Sequence, residues 1–116
     1  MAKQKDPAAF ECYRQLLLEL GHVTDYIQWK TLPATWLATN LPNIAMRLVH
    51  QLMAEHVRSG GDIDQVEETR LEYIEWRFHY DLRIPILERR VYIETVLDQA
   101  ERLDDCTIWV VNMHDQ

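Results

Sequence analysis

A run of charged side chains at two-residue spacing gives this sequence its clearest capacity for chemistry. The polar members of the run, which alternate with apolar residues, are Arg77, His79, Asp81 and Arg83. Because successive side chains of a β-strand point to opposite faces, these four are predicted to project from one face, about 7 Å apart. Two later segments supply similar groups: Arg90, Tyr92, Glu94, Asn112 and His114. If the segments pair in an antiparallel sheet, all of these groups are expected on one face.

These residue types suit the cleavage of a phosphodiester without a metal. A histidine can transfer a proton, a glutamate or a second histidine can assist it, and arginines can stabilise the developing negative charge. The candidate catalytic residues are His79, Glu94 and His114. The candidate substrate-binding residues are Arg77, Arg83, Arg90 and Tyr92. The alternative is a solvated face whose charges pair across strands, and a register shift of one residue would scatter the group.

Other kinds of catalytic centre find little support in the sequence. Metal-binding groups near these segments belong to His79, Asp81, His114 and Asp115. The sequence has no HxxxH or HExxH motif, so neither a metal nor another cofactor is predicted. The only serine, Ser59, lacks a GxSxG context, and no phosphate-binding glycine loop is present.

The strands that must position these groups are predicted in the second half of the chain. Alternation of apolar and polar residues, or a short apolar run, predicts strands over Ile74–Ile86, Arg89–Leu97 and Cys106–Met113. The short link at Leu87-Glu88 predicts an antiparallel hairpin between the first two. The three segments are therefore expected to form a β-meander.

The first half of the chain is predicted to be mainly helical. A helix is expected from an N-cap at Asp6 to a stop at Gly21. Thr24 can then cap a short second segment, Asp25 to Lys30. The longest apolar stripe predicts the main helix over Leu41–Arg58, and one more turn is expected over Ile63–Thr69. The fold class is α+β, with N-terminal helices packed on a C-terminal three-stranded antiparallel β-meander. We expect one domain, 1–116, mainly helical over 1–60 and mainly β over 71–116.

Composition narrows the classes of function and location. The net charge of −7 disfavours a general nucleic-acid binder, although five arginines and no lysine lie between Arg70 and Arg90. No apolar run approaches the ~20 residues that cross a bilayer, and no secretory signal is evident. We therefore expect a cytoplasmic protein without membrane contact. Two reduced thiols are favoured for Cys12 and Cys106, and one disulfide is left open.

The order of elements resembles the small ribonuclease toxins of the RelE/ParE superfamily. The segments that carry the resemblance are RFHYDLRIPILERRVYIETVL and IWVVNMHDQ, within residues 40–116. The resemblance implies N-terminal helices before an antiparallel sheet whose face cleaves RNA without a metal. It further implies His79 or His114 as general acid or base, and Glu94 as partner or base. Arg83 and Arg90 would then contact the phosphate.

Three hypotheses about function follow. The first is a metal-independent RNA-cleaving, toxin-like protein or a degenerate relative of one. The second is a non-catalytic acidic interaction module of adaptor or immunity type, which binds a cognate protein or forms a homodimer. Its partner surface would include Trp29 and Trp36. The third is a domain that binds an anionic ligand through its arginines.

Overall fold

Strands occur in both halves of the chain, whereas the sequence predicts strands only in the second half. The computed structural model describes residues 6–20 and 26–116. The helices in this part of the chain are α1 (Pro7–Leu20), α2 (Thr31–Asn40) and α3 (Met46–Arg58). The strands are β1 (Ile27–Trp29), β2 (Ile63–Glu67), β3 (Phe78–Ile86), β4 (Arg89–Asp98) and β5 (Thr107–Asp115). The α+β class is confirmed.

The sheet is larger than predicted and mixed in direction. Its five strands lie in the order β1-β5-β4-β3-β2, with β1 parallel to β5 and the other pairs antiparallel. The three-stranded antiparallel meander is therefore wrong as a description of the whole sheet. The predicted meander is the central part, β3-β4-β5, and the hairpin predicted at Leu87-Glu88 does join β3 to β4.

The two edge strands replace segments that were predicted to be helical. β1 lies within the short segment expected up to Lys30, and β2 lies where a helical turn was expected over Ile63–Thr69. Both are short, so their two-residue alternation is too brief to outweigh capping residues that also suit helices. The predicted helix stop at Gly21 and the cap at Thr24 lie outside the described residues. The described residues up to Gly60 thus contain the strand β1 in addition to the helices α1, α2 and α3.

Two predicted boundaries also move. The main helix begins at Met46 rather than Leu41, after a turn at Pro42 and Asn43. The first long strand begins at Phe78 rather than Ile74, because Leu71–Tyr73 forms a 3-10 turn and the chain then bends into the sheet. At the N-terminal end, the predicted N-cap is confirmed, since Asp6 Oδ1 accepts the Ala9 N–H at 3.1 Å.

One face of the sheet packs against the helices and forms the core. The ring of Tyr13 from α1 stacks on Tyr80 of β3 with ring centroids 4.2 Å apart. The hydroxyl groups of Tyr13 and Thr95 are hydrogen-bonded at 2.7 Å, which satisfies both in a dry setting. From α3, Val49 and Met53 are fully buried in the same core. Each such apolar side chain stabilises the fold by roughly 1.5–3 kcal/mol relative to exposure.

The other face of the sheet, here called the distal face, carries the alternate side chains, which include His79 and Asp81. The segment between β2 and β3, residues 69–76, folds over part of this face and is called the covering loop. Its base is closed by a hydrogen bond from the Glu68 N–H to the Arg77 carbonyl at 2.9 Å. Lys30 Nζ lies 5.7 Å from the ring centroid of Trp76 in the loop and 4.3 Å from that of Trp109 in β5.

Within the described residues, no helix is long and apolar enough to cross a bilayer.

Candidate functional site

The register of β3, β4 and β5 gathers the predicted polar groups on the distal face. Asp81 lies opposite Glu94, and Arg83 lies opposite Tyr92. Tyr92 in turn lies opposite His114 of β5. Because side chains alternate along each strand, these residues share one face. Most of the predicted site residues therefore lie together on the distal face.

Five of the polar groups form what we call the buried cluster. Its members are Glu68, Arg70, His79, Asp81 and Glu94. His79 Nδ1 and Asp81 Oδ1 are 2.8 Å apart, and these two side chains are only 13% and 8% exposed. Arg70, which comes from the covering loop, donates to Glu68 Oε1 at 2.8 Å and also to Glu94 Oε2. The loop thus supplies the cation that joins two carboxylates.

The arrangement of charges in the buried cluster lowers the stability of the fold. Asp81 and Glu94 are like-charged and directly opposite each other on neighbouring strands, an arrangement that destabilises a sheet. Burial adds a desolvation cost to each carboxylate unless the charge is paired. The three carboxylates face one arginine and one histidine, so negative charge exceeds positive charge even when His79 is protonated. Such clusters of perturbed groups are typical of functional sites.

Protonation in the buried cluster is shifted by these contacts. Burial works against the charged form of His79, but the hydrogen bond to Asp81 and the charges of Asp81, Glu94 and Glu68 outweigh it and raise its pKa. Burial also disfavours the charged form of Glu68, yet the hydrogen bonds and charge of Arg70 prevail and lower the pKa of this carboxyl. His79 is therefore biased towards the imidazolium form, which can donate a proton.

The residues on the open side of the cluster form what we call the rim. They are Arg83, Arg90, Tyr92 and His114. Tyr92 donates to Glu94 Oε1 at 3.4 Å and stacks on His114, with ring centroids 4.6 Å apart. Burial and the charges of Asp81 and Glu94 raise the pKa of Tyr92, so its hydroxyl stays a hydrogen-bond donor. The guanidinium of Arg83 lies 5.5 Å from the Tyr92 ring and pairs with Asp64 at 2.7 Å.

A cavity opens beside the rim. It has a volume of about 360 Å³ and is lined by His56, Asp62, Asp64, Arg83 and Arg90. Its lining combines two arginines and a histidine with two aspartates, which suits a ligand with hydrogen-bonding groups of both kinds. Two residues of the rim, Arg83 and Arg90, therefore also line the cavity.

Arg77 and the two tryptophans lie elsewhere. The Arg77 guanidinium pairs with Asp6 at the start of α1 at 2.8 Å, away from the buried cluster. Trp29 is half-buried against the core and donates from Nε1 to His50 Nε2 at 2.8 Å. Trp36 is also half-buried against the core, with the guanidinium of Arg89 5.4 Å from its ring. Their role as a partner surface stays a prediction.

Two residues of the buried cluster, Glu68 and Arg70, were not predicted as site residues from the sequence. Glu68 does not belong to the alternation of polar and apolar residues that marks the strands. Arg70 is one of five arginines between Arg70 and Arg90, and it lies before the predicted strand. Both reach the site through the covering loop, whose path depends on contacts far along the chain. Asp81 was noted in the polar run and among the groups that can bind a metal, but it was given no catalytic or substrate-binding role. A hairpin register centred on Leu87-Glu88 would have placed Asp81 opposite Glu94 and so indicated that it belongs to the cluster.

The buried cluster also has the donors for a divalent cation. One ligand atom each from His79, Asp81 and Glu94 lies within 4.8 Å of the others. Carboxylate and imidazole groups suit several divalent metals. However, Arg70 already pairs with Glu94, and His79 already bonds to Asp81. Asp115, another residue with a metal-binding group, pairs instead with Arg89. Arg70 and a protonated His79 thus bring two positive charges to the three carboxylates of the cluster, and one negative charge is left over.

Comparison with known proteins returned no match. No family model, no curated protein and no solved structure matches this chain.

Proposed function

We propose that this protein cleaves RNA without a metal, at the buried cluster and rim of the distal face. The observation that carries the proposal is the grouping of His79, bonded to Asp81, with Glu94 and Tyr92 on a face that also presents arginines. This set contains a proton donor, a potential base and cations for a phosphate. It agrees with what the resemblance to RelE-like toxins implies, and the RNA substrate would place the reaction in the cytoplasm.

The reaction that suits these groups is transesterification at one phosphate. Glu94 takes the proton from a ribose 2′-hydroxyl, and the freed oxygen attacks the adjacent phosphorus. The bond from phosphorus to the 5′-oxygen breaks, and imidazolium His79 gives that oxygen a proton. The products are a 2′,3′-cyclic phosphate and a 5′-hydroxyl, with no water consumed. Each proton transfer contributes roughly 10²–10⁴-fold to the rate.

The remaining groups serve binding and charge stabilisation. On substrate binding, Tyr92 would give up its hydrogen bond to Glu94 and donate instead to a non-bridging phosphate oxygen, and Arg83 and Arg90 would contact the same or a neighbouring phosphate. His114, stacked on Tyr92 and exposed, offers a flat surface for a base or a second acid. Because the whole chain is acidic at −7, substrate affinity would depend on this rim rather than on overall attraction.

The test is cleavage of a single-stranded RNA by the purified protein, with and without a chelator. We expect equal rates in both conditions, with cyclic phosphate and 5′-hydroxyl ends. His79→Gln, prepared in parallel, controls for contaminating nuclease and should be at least ~100-fold slower. Activity that requires added Mn²⁺ or Mg²⁺ would contradict metal independence. If the folded protein cleaves no RNA, the proposed activity is contradicted. The alternative would then be a degenerate relative of an RNA-cleaving protein that has lost its activity.

A second candidate function is supported by the surface of the covering loop. Leu71 is 84% exposed and Ile74 is 61% exposed, which is unusual for neighbouring large apolar side chains. They favour an interaction module, with a second copy of this chain as the simplest partner. Light scattering across a concentration series tests this. We expect a dimer that Leu71→Ser/Ile74→Ser converts to a monomer, whereas a concentration-independent monomer would contradict it.

A further inference from the structure

The lining of the cavity beside the rim includes one cation and one carboxylate that have no partner in the described part of the chain. Arg83 and Asp64, two of its lining residues, pair with each other at 2.7 Å. Arg90 and Asp62 also line the cavity and are exposed, and neither side chain forms a hydrogen bond or ion pair with another described residue. Both are therefore available to a ligand that offers an anion to the arginine and N–H donors to the carboxylate.

The position of Asp62 is fixed by a contact with the last turns of α3. The Nε2–H of His56 donates a hydrogen bond to the Asp62 carbonyl at 2.8 Å. The His56 ring lies so close to Gly61 that a Cβ atom at residue 61 would overlap it. The glycine thus permits the contact, and the contact holds the backbone of Asp62 at the cavity, directly before β2 begins at Ile63.

We propose that this cavity binds a guanine nucleotide, with its phosphate at Arg90 and its base at Asp62. The inference rests on the proposed function in its choice of a nucleotide, because the rim that would bind RNA shares Arg83 and Arg90 with the cavity. The volume of about 360 Å³ lies within the range of roughly 300–1,000 Å³ that is typical of small-molecule sites. Because Asp64 already pairs with Arg83, the charge of Arg90 is the one left for the phosphate.

The choice of guanine follows from the donors that each base presents. The two oxygens of a carboxylate only accept hydrogen bonds. On its Watson–Crick edge, guanine offers two neighbouring donors, N1–H and the N2 amino group, one for each oxygen of Asp62. Adenine and cytosine place an acceptor nitrogen beside their single amino group, and uracil places its one N–H between two carbonyl groups. Proteins read unpaired RNA bases on this edge, so Asp62 would select guanine.

The site would also determine where the RNA is cut. Contacts to phosphate position a nucleic acid, whereas contacts to base edges carry its sequence information. A guanine held at Asp62 would therefore bring a phosphate next to that nucleotide to the rim. A base contact through two hydrogen bonds discriminates against the wrong base by roughly 5–150-fold. We expect a preference of this size for phosphates that adjoin guanosine.

The test is the binding of guanosine 5′-monophosphate and adenosine 5′-monophosphate to the full chain, measured by isothermal titration calorimetry in the absence of RNA. We expect the guanine nucleotide to bind at least ~5-fold more tightly. Asp62→Asn replaces one of the two acceptor oxygens by an NH₂ donor, so it should remove the preference. Asp98→Asn, an exposed change at the end of β4, is the matched control and should keep it.

The outcomes separate this inference from the proposed cleavage. Equal affinity for the two nucleotides, no binding of either, or a guanine preference that persists in Asp62→Asn would overturn the inference. A guanine preference that depends on Asp62, in a protein that cleaves no RNA, would support the nucleotide site and contradict only the proposed cleavage. RNA cleavage without a preference for guanosine would support the proposed function and overturn the inference.

Discussion

At the scale of single residues, the bond between His79 and Asp81 favours the protonated form of His79 on the distal face. Both side chains are nearly buried, so water does little to screen their interaction. The raised pKa of His79 depends on that bond and on nearby carboxylates. The corresponding stabilisation is complete below the ordinary histidine pKa of about 6.5 and is lost as the pH rises through the raised value.

The first prediction concerns this bond. Asp81→Asn keeps the shape of the side chain and removes its charge, so the pKa of His79 should fall. Titration of the His79 ring signals by NMR measures the change. Asp98→Asn, an exposed change at the end of β4, should leave the His79 titration where it is. An unchanged His79 titration in Asp81→Asn would show that the pair does not control the proton.

A second histidine, His50, has a lowered pKa, whereas that of His79 is raised. Trp29 Nε1 donates to His50 Nε2, so the proton of the neutral ring is on Nδ1, which has no hydrogen-bond partner in the described part of the chain. Burial lowers the pKa of His50 to about 4. As the pH falls below about 6.5, the unfolded chain binds this proton before the folded one does. The fold therefore loses stability down to about pH 4.

The second prediction follows from that difference. Between pH 6.5 and 4, His50 should lower the free energy of unfolding by on the order of 3 kcal/mol. His50→Gln can still accept a hydrogen bond but does not titrate, so its unfolding free energy should fall less over this range. Urea unfolding at several pH values measures it. Arg58→Gln, on the exposed end of the same helix, is the control and should keep the wild-type dependence. Parallel curves for wild type and His50→Gln would contradict the assignment.

At the scale of elements, the turn of the β3–β4 hairpin has Leu87 and Glu88 at positions where Asn and Gly are usual. Leu87 and Glu88 have φ angles of 49° and 66°, in the left-handed region that Asn and Gly favour. The sequence predicted the hairpin from the length of the link, but it offered no Asn-Gly signal. The strands therefore impose the turn, because their long run of paired residues outweighs the local strain.

The third prediction uses this turn. Glu88→Gly removes the Cβ that disfavours a positive φ, so the protein should gain about 1 kcal/mol of stability. The gain is measured by urea unfolding at neutral pH. Glu101→Gly is the control, since it adds the same flexibility at an exposed position and should give no gain. Equal effects of the two substitutions would contradict a left-handed conformation at Glu88.

The elements also show where sequence reasoning succeeds and fails. β3 and β4 were found because their alternation runs for nine and ten residues. β1 has three residues and is defined by a parallel pairing with β5, far along the chain. Periodicity within a segment cannot reveal such a partner. The covering loop continued the apolar alternation through Ile74 and Trp76, which made the strand look longer than it is.

At the scale of the whole molecule, the site joins parts of the chain that no local pattern connects. β3 and β4 supply His79, Asp81 and Glu94, and these positions followed from parity and a short hairpin. Arg70 arrives from a loop that folds back over the sheet, and its contact with Glu94 exists only in the folded molecule. The sequence therefore predicted the shared face, whereas the charge balance of the cluster needed the structure.

One measurement tests most directly whether Glu94 acts as the base of the proposed RNA-cleaving site. It is the single-turnover rate of RNA cleavage by wild type, Glu94→Gln and Glu101→Gln, in chelator and at equal protein concentration. Glu94→Gln keeps the size of the side chain and loses the basic carboxylate, so its rate should fall at least ~100-fold. Glu101→Gln should match wild type. Equal rates for wild type and the folded Glu94→Gln protein would contradict the account.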